Sequence, residues 1–136
     1  MNRDIPLGLQ LPSETILQYQ ESDILFTGDL EYLGESFIIQ NYDPVDIDIL
    51  KLGHHGSKTS TTGSFLQWAT PEVGLISAGR HNRYGHPHPS VLSRCRHYNM
   101  DLYRTDLHGA ITLTTHGDSF LIEPFMTRFQ WLNIGS

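Results

Sequence analysis

Val45-Asp46-Ile47-Asp48-Ile49-Leu50-Lys51-Leu52-Gly53-His54-His55-Gly56-Ser57 is the stretch on which the reading of this chain turns. From Val45 to Leu52 apolar residues alternate with others, Val45, Ile47 and Ile49 on one side and the acids Asp46 and Asp48 on the other. That two-residue period predicts a strand. The strand runs directly into Gly53–Ser57, which is rich in turn formers. Adjacent histidines in a strand point to opposite faces, whereas in a turn both rings can converge on one site. Gly53 and Gly56 permit such a bend and a close approach of the backbone to a ligand. Ser57 and the following Lys58-Thr59-Ser60 supply donors for an anion. The plainer alternative is a polar turn with surface histidines.

Working upstream, Glu14–Tyr19 and Asp23–Thr27 read as a hairpin. Gly28-Asp29 ends its second strand, and Leu30, Leu33, Phe37 and Ile38 at helical spacing predict a helix over Glu31–Asn41, closed by Asp43-Pro44. Downstream, Thr62–Thr70 reads as a short helix ended by Pro71, Val73–Ala78 as a strand, and Gly79–Pro87 as a long polar loop. Pro89–Tyr98 is a helix with proline in its first turn. Asp101–Arg104, Ala110–Thr115 and Ser119–Glu123 are strands, the last two joined by the tight turn His116-Gly117-Asp118. Strands interleaved with helices predict an α/β layered domain, a mixed sheet covered by helices. In such folds the loops leaving strand ends carry the chemistry.

Three loops qualify: Gly28-Asp29, Gly53–Ser60 and Gly79–His88. Asp29 reads either as a cap of the next helix or as a metal-ligand carboxylate held at a strand end. The third loop gathers His81, His86, His88, Arg80, Arg83, Asn82 and Tyr84, with Pro87 and Pro89 flanking His88. Arginine and histidine beside Asn82 and Tyr84 suit phosphate oxygens; a solvated surface loop is the alternative. Arg104-Thr105-Asp106 with Gly109 reads as a strand-to-turn corner in which Thr105 and Asp106 bond the turn backbone. His97, His108 and His116 are expected at the surface, and Trp68 and Trp131 in the core or on apolar surface.

Composition narrows the class. With 136 residues, 38% hydrophobic and 18% charged, the chain is one globular domain's worth, able to bury a core without disulfides. Apolar runs are too short to span a bilayer, and Met1-Asn2-Arg3-Asp4 shows no signal-peptide pattern. The single cysteine, Cys95, excludes an intrachain disulfide and a thiolate cluster. The net charge of −6 conceals an asymmetry. Residues 1–48 hold ten acids against Arg3 alone, whereas residues 49–136 hold eight Lys or Arg against five acids. All eight histidines lie in that second part, five of them between His54 and His88. Histidine is the commonest side-chain metal ligand and a proton shuttle near neutral pH.

Taken in order, Leu25-Phe26-Thr27-Gly28-Asp29-Leu30-Glu31, Leu50–Ser60, Ser77-Ala78-Gly79 with Asn82–Pro89, and Tyr103–Asp106 with Gly109-Ala110-Ile111 form a recognisable series. It resembles the C-terminal part of the metallo-β-lactamase-like domain of the ComEC family of competence proteins, over about Glu14–Glu123. The resemblance implies the C-terminal half of a four-layer αββα sandwich at 13–124, between a poorly ordered lead-in at 1–12 and a tail at 125–136. By similarity, Asp29 and His55 match metal ligands, and His54 and His86 face the substrate as catalytic groups. Ser57, Lys58, Asn82, Arg83, Tyr84 and His88 are the candidate substrate and phosphate contacts. The chemistry implied is hydrolysis of a DNA phosphodiester with two divalent metals, zinc or manganese, degrading or handling the DNA strand that is not transported. The implied setting is a membrane protein with this domain on the extracytoplasmic side of the cell membrane. Its partners would be DNA and the remainder of the same protein.

The family's His-x-His-x-Asp-His motif belongs upstream of Asp29, and no histidine precedes His54. The expectation is therefore a fragment, itself soluble, that is metal-poor and inactive alone. Uncovered apolar surface would favour self-association. The alternatives are a non-catalytic phosphate- or nucleic-acid-binding module and a phosphorylcholine-esterase-like cell-wall hydrolase.

Overall fold

The computed structural model describes residues 15–126. The lead-in expected at 1–12, most of the tail expected at 125–136, and Trp131 lie outside the described residues. Strand β1 (Thr15–Tyr19) pairs antiparallel with β2 (Ser22–Phe26). From there β3 (Ile49–Lys51), β4 (Val73–Ile76) and β5 (Asp101–Arg104) add in parallel, giving a five-stranded mixed sheet in the order β1-β2-β3-β4-β5. Each parallel step is a crossover through one helix: α1 (Tyr32–Asn41), α2 (Gly63–Ala69) and α3 (Pro89–His97). Crossovers share one hand, so a sheet that grows in one direction receives all its helices on one face.

The core confirms this placement. Leu25, Leu50 and Ile76, which share a face by strand register, pack with Ile38 of α1, Phe65, Leu66 and Trp68 of α2, and Val91, Leu92 and Cys95 of α3. Phe65 and Trp68 stack at 5.6 Å between ring centroids. Burial pushes the Cys95 thiol up to about 11, so it stays protonated and acts as a small apolar side chain.

A one-turn helix α4 (Thr105–His108) leads to a separate hairpin of β6 (Ile111–Thr115) and β7 (Phe120–Pro124). Its turn reaches the start of β2, where Gly117 O accepts the Glu21 amide and Thr115 Oγ1 meets Ser22 Oγ, both at 2.8 Å. Phe120 and Ile122 of the hairpin share a hollow of about 250 Å³ with Ile49 and Val73, which lie on the sheet face away from the helices. The hairpin turn thus abuts the amino ends of the parallel strands, leaving their carboxyl ends open.

Four expectations need correction. The predicted strand Val45–Leu52 shrinks to Ile49–Lys51, because the Val45 and Ile47 amides donate to Trp68 and Ala69 carbonyls at the end of α2. Along α1, Leu33 is 70% exposed and Phe37 also faces out, while Glu35 and Ile38 point inward. The Arg104–Asp106 corner is helical: Thr105 Oγ1 bonds both Ala78 N and Ala78 O across to the β4 loop, and Asp106 pairs with the Arg104 side chain at 2.7 and 3.0 Å. His108 is half-buried, with Nδ1 accepting the Arg104 amide. Exposed Leu17, Tyr19, Phe26 and Tyr32 join Leu33 and Phe37 as uncovered apolar side chains near β1 and α1. Among the described residues no helix is long and apolar enough to cross a membrane.

Candidate functional site

Strands β2, β3 and β4 are neighbours in the sheet, so the loops that leave them meet side by side at one rim. Gly28 O accepts the His54 amide at 2.8 Å, joining the first loop to the second, and Gly56 O accepts the His88 amide at 2.9 Å, joining the second to the third. Close packing needs glycine at the crossing points. A Cβ on Gly53 would stand 2.6 Å from Leu30 O, and one on Gly56, whose φ is +80°, would stand 2.7 Å from Pro87 Cβ.

His54 and His55 form a tight 3₁₀-like turn in which both adopt left-handed backbone angles, φ/ψ 47°/47° and 57°/25°. This region disfavours side chains with a Cβ and is encountered where the surrounding structure enforces it, often at functional sites. The double left-handed turn brings both rings to the rim, their centroids 6.3 Å apart. His86 arrives from the third loop with its ring 5.7 Å from that of His54, and Tyr84 stacks on His86 at 5.8 Å and 30°.

The hydrogen bonds around the pair decide which nitrogens are available. His55 Nδ1 lies 2.7 Å from Ser77 O, and His54 Nδ1 lies 3.0 Å from Glu31 Oε1. A carbonyl or carboxylate oxygen accepts, so in the neutral rings both contacts place the proton on Nδ1 and leave Nε2 with its lone pair. Glu31 occupies the N-cap position of α1 without capping it. Its carboxylate instead accepts the Thr59 hydroxyl at 2.8 Å as well as His54. The Thr59 hydroxyl, and then the His54 ring, hold the Glu31 carboxyl below its usual 4.5. Burial, followed by the neighbouring His54, His55 and His88 rings, holds the His86 imidazole below its usual 6.5. Burial also lowers Lys51 below 10.5, opposed by the attraction of Asp29, and its ammonium donates to Leu52 O at 3.1 Å.

The sequence candidates divide accordingly. His54, His55 and His86 come together. Asp29 follows Gly28 on the same rim and lies within electrostatic reach of Lys51. Lys58, Arg83 and Tyr84 are exposed, Tyr84 by 81%. Asn82 is a clamp for its own loop: Nδ2 donates to Gly79 O and His86 O, and Oδ1 accepts the His86 amide at 2.9 Å. Ser57 is buried against Thr59, and His88 caps α3, with Nδ1 accepting the Ser90 amide at 3.2 Å. Glu31 and Lys51 were not among the sequence candidates, and Thr59, read as a donor to an anion, spends its hydroxyl on Glu31 instead. The acid two positions beyond Asp29 was the available signal.

For a catalytic metal, His55 Nε2 and the Asp29 carboxylate are suitable donor types, and a carbonyl-bound Nδ1–H is the usual support of a ligating imidazole. A catalytic zinc takes about three protein ligands. Among the described residues no group of three or more His, Cys, Asp or Glu is placed to hold one ion. The described residues alone therefore do not fit a catalytic metal.

No protein-family profile matches the chain. It is 44% identical over 87 residues to ComE operon protein 3 of Bacillus subtilis, an alignment covering 64% of this chain and 11% of that protein. With competence protein ComA of Neisseria gonorrhoeae it shares 43% identity over 89 residues, 65% of this chain and 13% of the relative. With recombination protein 2 of Haemophilus influenzae it shares 35% over 110 residues, 81% and 14% respectively. Spanning less than one sixth of any of these three, the chain is related to a segment of much longer bacterial competence and recombination proteins.

Proposed function

We propose that this chain is the histidine-bearing part of a metal-dependent, nuclease-like phosphodiester hydrolase domain in a DNA-uptake protein, with a metallo-β-lactamase-like sandwich as its complete fold. The observation that carries this reading is the convergence of His54, His55 and His86 at the carboxyl ends of adjacent parallel strands. The names of the relatives, competence and recombination proteins, support DNA as the polymer handled. Asp29 and His55 are the donors this chain offers to zinc or manganese, and the remaining donors come from outside the described residues. When bound, such ions would polarise the phosphoryl oxygens and activate water. The chain's own residues position the backbone: His86 reaches one phosphate, Arg83 and Lys58 neutralise its neighbours, and His54 Nε2 faces the reacting group. Alone, the chain binds DNA without cutting it.

Fluorescence anisotropy with a labelled single-stranded oligonucleotide tests this. Each phosphate contact adds roughly 0.7 to the slope of log affinity against log salt. The expected result is a salt-dependent affinity that falls in Arg83→Ala and again in His86→Ala, with no cleavage by the 136-residue chain in zinc or manganese. A longer protein that contains the segment is expected to cut. Absence of salt-dependent binding, or cleavage by the chain that survives Asp29→Ala, would overturn the reading.

A further inference from the structure

Glu31 opens α1 yet caps nothing, since its carboxylate turns away from the helix amides toward the neighbouring loop. There Oε1 takes two bonds at once, from the Thr59 hydroxyl at 2.8 Å and from His54 Nδ1 at 3.0 Å. Thr59 is itself fixed. Its carbonyl accepts the Tyr32 amide at 2.8 Å, and its hydroxyl, having donated to Glu31, accepts from Ser57 Oγ at 3.0 Å. The helix start and the histidine turn are thus laced together by backbone and side chain around one carboxylate oxygen. The His54 backbone is left-handed, and its ring is held at Nδ1 by Glu31 and flanked by the rings of His55 and His86.

We propose that Glu31 is a positioning residue for His54: with Thr59 it fixes the ring in the Nδ1–H form and turns the bare Nε2 toward the rim shared with His86. The assignment rests on the phosphodiester reading for its purpose but not for its test. A neutral imidazole with Nδ1 committed to a carboxylate presents an acceptor at Nε2, suited to taking a proton from a water or hydroxyl group. His55 makes the parallel arrangement with a backbone carbonyl, Ser77 O, which no side-chain substitution removes. The two neighbouring rings therefore form a built-in comparison.

The experiment is a ring-nitrogen NMR measurement on the whole chain, in chelator-treated buffer at a pH where the imidazoles are neutral. Wild type is expected to show the Nδ1–H form at both His54 and His55. In Glu31→Ala, His54 is expected to pass to a mixture with the Nε2–H form while His55 stays as it was, the latter showing that the turn remains folded. Thr59→Val, which removes only the hydroxyl, is expected to broaden or shift the His54 signals in the same direction by less. His54 already in the Nε2–H form in wild type, or unchanged in Glu31→Ala, would overturn the assignment. Adding a short single-stranded oligothymidylate to the wild type separates the two ideas. Unmoved His54 and His86 signals would sink the phosphodiester reading and leave the Glu31 assignment standing.

Discussion

The two histidine-bearing loops of the rim are held in opposite ways. The Gly53–Thr62 loop is pinned from beneath: Ser57, Ser60 and Thr61 are buried, and Ser60 Oγ donates to Gly53 O at 2.8 Å. Glu35, 2% exposed, accepts the Thr61 amide and, at 3.0 Å, the Thr62 amide. Arg94 of α3 donates to Thr61 O at 2.8 Å and lies close enough to favour the Glu35 charge. The Gly79–Pro87 loop is held chiefly by Asn82 and by Pro87 against Gly56, and the side chains of Arg80, His81, Arg83 and Tyr84 are exposed. One loop fixes imidazoles to the angle of the sheet; the other offers charge and an aromatic face to whatever approaches. The firmly bonded and the exposed parts of the candidate site thereby follow different strands.

The largest effect should come from removing the pin. Glu35→Ala leaves two amides without their acceptor, at about 1–3 kcal/mol for each buried unsatisfied group, so a loss of about 3 kcal/mol is expected in urea denaturation. A cost under about 1 kcal/mol would show that the first loop is no more firmly held than the second. The same carboxyl should leave a pH signature. Burial raises Glu35 above its usual 4.5, so the folded chain holds that proton more tightly than the unfolded chain. The stabilisation linked to that proton is fully present below 4.5 and is lost as pH rises through the raised value. Wild-type stability relative to Glu35→Gln should therefore fall with rising pH over that interval. A difference that stays flat removes Glu35 as its source.

Smaller effects sharpen the contrast. Asn82→Ala should cost about 1 kcal/mol of stability, because its bonds are partly solvent-exposed, while weakening oligonucleotide binding measurably by anisotropy. Equal damage by Asn82→Ala and Glu35→Ala would erase the distinction between the loops. His54→Gly should change stability least. Relief of a left-handed residue, worth roughly 1–2 kcal/mol, is offset by the lost bond to Glu31 and by glycine's backbone entropy, for a net change within about 0.5 kcal/mol. On the proposed phosphodiester reading, its affinity for a single-stranded oligonucleotide should nevertheless fall. A large loss of stability instead would mean that His54 holds the turn together rather than merely tolerating it.

Much of this was legible in the chain itself. Gly-rich loops after apolar strands announced the three rim segments, and the His54-His55 pair between two glycines announced the turn. What escaped detection was long-range. Alternation at Val45–Asp48 looks like a strand because those residues do alternate in burial, yet their amides are taken by the end of α2, a partner far along the chain. Glu35 sits between Gly34 and Ser36 on a helix whose Leu33 and Phe37 suggested a different inner face, and two loop amides with Arg94 nearby meet its buried carboxylate. Asn82 and His88, read as phosphate contacts, also bond within their own loop and helix, which their sequence does not show. Residue type marks chemical capacity, whereas the tertiary fold decides whether that capacity is spent internally.

The adjacency of β2, β3 and β4 has one more outcome. Paired strands stand about 4.8 Å apart, and the rings of His54 and His86, which belong to the loops leaving neighbouring strands β3 and β4, stand at a similar 5.7 Å. The ladder acts as a ruler for the imidazoles. One residue inserted between Leu52 and His54 would shift the histidine turn off its strand end and dismantle the rim, and lengthening the tip at 80–84 would strain the Asn82 clamp that holds His86.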